Sequence, residues 1–268
     1  MYNKKIAWIV FLAVLAVFMP FQTLQAEEAE HKSDKDKVEV PNHVLNISKE
    51  NTYPNSSRDE AVLEPSDLVK ELVEESKINI ENPELIKLLN ETTLKPSPLA
   101  IGYRGLIYMG HWPLNYESQE TNLNWEFQKI NVNQLNNLGG NNQKNMSYNQ
   151  EEEKHVKGAL TAKINNADQV KRMMLLKAKK HTNLPLSFHT VFGEGTKKEN
   201  SYGIPVKKIG NLTAYAPAVN EKGQVTFGEV YLELKGSNKR IVVKNVTKQG
   251  VGAWIPIQDH VSFSFQLK

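Results

Sequence analysis

Beyond residue 100, apolar side chains recur at every second position in run after run. A chain patterned this way must bury one face of many strands. Val156, Gly158, Leu160, Ala162 and Ile164 alternate cleanly. Leu123, Trp125 and Phe127 share one face, whereas Ile130 and Val132 take the opposite parity, which predicts a bulge near Gln128 and Lys129. Similar runs stand at "YRGLIYMGHWPLNYES", "LPLSFHTVFG", "LTAYAPAV", "QVTFGEVYLELK", "RIVVKNVT" and "HVSFSFQLK". "NEKG" and "GSNK" have the composition of compact hairpin turns, and "NNLGGNNQKN" that of a wide loop. The expected class is α+β: a mainly antiparallel β-sheet domain over residues 99–268 with one internal helix and an N-terminal pair of short helices.

The helical pair is expected within residues 61–98. In "PSDLVKELVEES" Ser66 is a favourable N-cap, with Leu68, Val69, Leu72 and Val73 as the apolar stripe. In "NPELIKLLN" Asn82 caps, Pro83 takes the first helical position, and Leu85, Ile86, Leu88 and Leu89 form the apolar side. Residues 27–60 are charged and poor in large apolar groups, and read as a tether with a short apolar contact at "VLNI".

The first 26 residues carry an address. Lys4 and Lys5 precede an apolar run from 6 to 21, and "TLQA" ends in the small Ala26 before a charged stretch. This is the layout of a secretory signal peptide cut after Ala26, and it places the protein outside the cytoplasm, in the envelope or beyond it. The competing arrangement is an uncleaved anchor, for which the run is short of the roughly 20 apolar residues a spanning helix needs. The chain has no cysteine, so neither disulfides nor thiolate chemistry contribute, and the core alone must hold the fold.

Charge is unevenly spread. Residues 27–91 hold 17 acidic and 8 basic side chains, and residues 154–211 hold 12 basic and 3 acidic ones. Such a split suits an anionic partner for the rear half, or an acidic front folded against the basic rear.

Candidate functional residues are few. The stretch "DQVKRMMLLKAKKH" is expected to be helical, with Asn166 or Asp168 as cap. Ala167, Val170, Met174 and Ala178 fall in one arc, extended by His181, and Lys171, Arg172 and Lys179 form a basic outer ridge. Its apolar groups are too dispersed for a flat membrane surface, and the expected role is structural, with an anion-facing patch as the functional alternative. Glu151, Glu153 and His155 in "EEEKH" offer metal-ligand chemistry if the strand curves enough to bring them together. Trp112, Trp125 and Trp254 suit either the core or a platform for stacking against a polymer. Carboxylates such as Glu229 suggest a hydrolase of wall or other extracellular polymer, without revealing a second member of the pair. No cofactor motif is present, and the basic stretch lacks the interleaved aromatics of a nucleic-acid surface. The leading expectation is a non-enzymatic exported binding or assembly protein, whose partner is an anionic wall polymer, a membrane surface or another envelope protein. The carboxylate hydrolase is the alternative.

The stretches "ISKENTYPN", "LAIGYRGLIYMGHWPLNYES", "VNEKGQVTFGEVYLELKG" and "RIVVKNVTKQGVGAWIPIQDHVSF" resemble the YfkD-like family of exported proteins from spore-forming Gram-positive bacteria. The resemblance runs over most of the mature chain. It implies export, and because no activity is assigned to that family it transfers no functional residue.

Overall fold

The computed structural model describes residues 38–55, 64–92 and 104–268. The expected signal peptide and its cleavage site lie outside the described residues. Three helices stand among those described: α1 (Asp67–Glu74), α2 (Pro83–Glu91) and α3 (Ala167–Thr182). The strands are β1 (Val44–Asn46), β2 (Arg104–Asn136), β3 (Lys144–Asn149), β4 (Lys154–Lys157), β5 (Ala159–Leu160), β6 (His189–Phe192), β7 (Lys197–Ile204), β8 (Ile209–Lys235), β9 (Asn238–Pro256) and β10 (His260–Leu267). Every strand pairing is antiparallel. No helix among the described residues is long and apolar enough to cross a membrane.

The 27-residue strand β8 is the axis of the molecule. At about 3.3 Å per residue it would reach some 90 Å if straight. Strand β2 pairs with it along its whole length on one edge. On the other edge β10 pairs with residues 210–215 and β9 with residues 218–235. The change of partner falls at Pro217, which has no N–H to give to a ladder. Its carbonyl instead accepts the Ile257 N–H at 3.0 Å.

Buried positions on β8 are even-numbered from Leu212 to Ala216, odd-numbered from Val219 to Phe227, and even-numbered again from Val230 to Leu234. Each change of parity re-aims the buried face, so one strand serves three cores in succession. Leu212, Ala214 and Ala216 pack with Tyr148, Val156, Phe192 and Ile204 from the two small ladders β3–β7 and β4–β6. Val219, Val225 and Phe227 pack under α3, against Val170, Met174 and Ala178. Val230 joins Leu114 and Ile241 beneath Val69, Leu72, Leu85 and Leu89 of α1 and α2.

Several local expectations meet the structure directly. The β2–β8 register shifts between Asn124 and Gln128 and again between Lys129 and Asn131, where opposite parities had predicted a bulge. Ser66 and Asn82 both cap with their side chains, the latter accepting the N–H groups of Glu84 and Leu85. "GSNK" is the β8–β9 turn, with Lys235 opposite Asn238 and Gly236 at φ +58°.

"NEKG" is not a turn. Asn220, Glu221, Lys222 and Gly223 lie in mid-strand and are paired on both sides. Glu221 is buried there and Gly223 makes room for a neighbouring ring, so the polar and glycine content serves packing rather than reversal. Likewise, residues 104–118 and 121–135, expected as two strands, join into one, whose Pro113 sits at a register shift. The alternation expected through residue 164 breaks at Gly158 and ends at Leu160. A side chain at 158 would meet the Trp254 carbonyl.

Within the segment expected to be a tether, β1 extends the sheet by pairing with β10. Beyond it, Asn51 and Asn55 fasten the chain to β6. Asn55 accepts the Val191 N–H at 2.9 Å and donates to the Val191 carbonyl at 2.8 Å, as a neighbouring strand would. Asn51 donates to Asp259 at 2.9 Å and accepts the Gly193 N–H at 3.0 Å.

Candidate functional site

Residues 77–81, which link α1 and α2, meet the C-terminal half of α3 across the β2–β8–β9 ladder. A cleft of about 520 Å³ opens there, lined by Lys77, Glu81, Tyr116, Lys177, His181 and Lys248 among others. Asn82 fixes the geometry. It is wholly buried, caps α2, and donates to the Pro113 carbonyl at 2.7 Å and to Gln169 of α3 at 2.9 Å. One side chain thereby ties the helical pair to both the sheet and α3. Lys177 pairs with Glu81 across the cleft at 2.9 Å, and Lys248 lies 3.5 Å from Glu117. With Glu50 paired to Lys198, these contacts lay the acidic front of the chain on its basic rear.

Behind Tyr116, which lines the cleft, lies an unusual group. Glu221 is fully buried on β8, and two hydroxyls hold its carboxyl. Tyr116 donates to one carboxylate oxygen at 2.9 Å and Thr121 to the other at 2.6 Å. Two hydroxyl donors replace part of the hydration a buried carboxyl loses. Burial first, and the Glu221 carboxylate second, push the Tyr116 phenol well above its ordinary range. Burial does the same to Tyr148 in the neighbouring core.

The sign of the consequence is fixed. A phenol whose folded pKa lies above its unfolded value stabilises the fold fully below about pH 10, and that contribution is lost as pH rises beyond it. Stability is therefore expected to fall steeply above pH 10, and the tyrosinate absorbance of these two residues to appear together with unfolding. The Tyr148→Phe variant should show a shallower alkaline decline. An unchanged slope would refute the assignment.

The residues singled out from sequence are dispersed. Lys171, Arg172 and Lys179 are half-buried on α3. Lys171 reaches Asp168 at 3.3 Å and covers the Phe188 ring, and Arg172 is also engaged. Helix α3 does front the cleft, but through Lys177 and His181. These two are four residues apart and flank the buried stripe of Met174 and Ala178, a placement visible in the periodicity though not in the charge run. Asn166 stands at the α3 N-cap with φ +52° and no side-chain capping bond.

Trp112, Trp125 and Trp254 are half-buried in three settings. Trp112 donates to the Met109 carbonyl at 2.9 Å against the helical-pair core, Trp125 packs on the α3 core, and Trp254 stacks on Phe127. Glu153 meets His155 at 2.8 Å, while Glu151 accepts from Asn133 at 3.1 Å. Among the described residues, no group of three or more His, Asp or Glu surrounds a point suited to a metal ion. Glu229 accepts the Tyr231 hydroxyl at 2.8 Å. That bond, with one from Asn245, holds its carboxyl below the usual range, the reverse of what a general acid needs.

A family model described as YfkD-like protein matches residues 41–268. The chain belongs to the YfkD-like family. A Bacillus subtilis (strain 168) relative, named Uncharacterized protein YfkD, is 59% identical over 233 residues, covering 87% of this chain and 88% of the relative. Among solved structures, the crystal structure of Lamprey immune protein aligns with 61% of this YfkD-like chain at 7% identity and a TM-score of 0.26. The alignment covers 53% of that protein, so the chain spans about half its length. Where they are described, the stretches that carried the family resemblance fall on the Asn51–Asn55 clamp, on the first half of β2, on β8, and on β9 running into β10.

Proposed function

We propose that this YfkD-like chain is an exported, non-enzymatic binding protein that takes an anionic envelope polymer into the cleft between α3 and residues 77–81. The observation that carries this reading is the convergence of Lys77, Lys177, Lys248 and His181 on one solvent-open cleft. Glu81 and Glu117, each beside a lysine, act as its charge balance rather than as an acid–base pair. Val246 and Ile78 supply apolar walls against which a polymer backbone can lie. The basic, apolar and small-residue succession at the N-terminus supports export.

Binding through lysines is screened by salt, over a distance of about 8 Å at physiological ionic strength. A glycerol-phosphate polymer should bind the purified chain at low salt, and a neutral glucan should not. The double variant Lys77→Ala, Lys177→Ala is expected to bind about tenfold more weakly, the equivalent of roughly 1.4 kcal/mol. Unchanged affinity would remove the cleft as the site, and release of shortened polymer would favour the hydrolase instead.

A further inference from the structure

We propose that His155 and His189 form a two-imidazole site for a divalent transition-metal ion, with Glu153 as the carboxylate that orients His155. Strands β4 and β6 pair with His155 opposite Val191 and Lys157 opposite His189, which leaves the two histidines diagonal to one another. Imidazoles span a diagonal of this kind easily. His155 Nδ1 and His189 Nε2 stand 3.1 Å apart. Two nitrogens bound to one tetrahedral zinc ion at 2.0–2.1 Å are about 3.3 Å apart, so the spacing is nearly right, and the two exposed rings, whose centroids are 5.3 Å apart, need to turn until both lone pairs meet at the ion.

Glu153 accepts from His155 Nε2 at 2.8 Å, which leaves Nδ1 as the lone-pair nitrogen facing His189. Without metal, His189 Nε2–H donates to that lone pair. On binding, the proton leaves His189 Nε2 and returns at Nδ1 of the same exposed ring, so both imidazoles ligate as neutral donors and no net charge moves. Tyr53 buttresses His155 edge-on at 6.4 Å, and the adjacent Thr52 is fixed to the 193–196 turn. The His155 side chain is 48% exposed, which leaves room for water in the remaining positions. Two imidazoles select zinc, copper or nickel, and lack the oxygen ligands that calcium and magnesium require.

The site lies outside the cleft and stands or falls independently of polymer binding. The test is calorimetric titration of Zn²⁺ into the untagged, chelator-treated chain. One ion is expected to bind, with no response to Ca²⁺ or Mg²⁺. Glu153→Ala should weaken binding by about 10–100-fold. His155→Gln and His189→Gln should each weaken it further, with unchanged circular dichroism because both side chains are on the surface. Cu²⁺ bound to the parent chain should show two nitrogen ligands by electron paramagnetic resonance. Absence of zinc binding overturns the proposal. So does binding that survives in both histidine variants, which would assign it to others of the seven histidines.

Discussion

Gly223→Ala is expected to lower the free energy of unfolding by about 3–5 kcal/mol, a large part of a typical domain's total. The added methyl group would sit 2.1 Å from the Glu117 carbonyl oxygen and 2.7 Å from the Tyr116 hydroxyl. The first is a backbone atom of the neighbouring strand and cannot rotate away; β2 and β8 would have to part. The second is the hydroxyl that reaches across Gly223 to Glu221, so the same substitution dislodges a donor from a buried carboxyl. Chemical denaturation would read the loss as a shift in midpoint. Gly250→Ala is the control, because nothing lies within 4 Å of its added carbon. It should stay within about 0.5 kcal/mol of the parent. Equal midpoints for the two variants would mean that the Tyr116 ring does not lie over Gly223.

Glu221→Ala is the second large effect, at roughly 3–5 kcal/mol. It strands the Tyr116 and Thr121 hydroxyls without an acceptor and opens a cavity beside Tyr116. Glu221→Gln should cost far less. A carboxamide can accept from one hydroxyl and donate to the other, and so keeps the network closed. The ordering of the two variants in thermal or denaturant unfolding is the measurement. If Gln is as damaging as Ala, then charge rather than hydrogen bonding is what the site needs.

Neither effect was legible in the sequence, and the reason is specific. "NEKG" has the composition of a turn, and local composition is all a short window reports. Its acid is buried by a tyrosine 105 residues away, and its glycine is demanded by the ring of that same tyrosine. The cleft is hidden in the sequence for a related reason. The charge run on α3 singles out Lys171, Arg172 and Lys179, whereas the side of the helix that the sheet covers decides which residues front the cleft. His189 stands 34 residues from His155 in sequence, and the β4–β6 register that joins them is set by no local signal.

The sequence by itself determined what depends on neighbours within a few residues. It specified the alternation that makes strands, the change of parity that makes a bulge at 124–131, the Ser66 and Asn82 caps, and the Gly236 reversal. Each rests on backbone sterics or on a hydrogen bond spanning two to four positions. Only the tertiary structure decided that two pairs of expected strands are two continuous ones, that β8 turns its buried face twice, and which charged groups share the cleft. Those outcomes depend on strand pairing and core packing between segments about a hundred residues apart, and no local pattern encodes which distant partner wins.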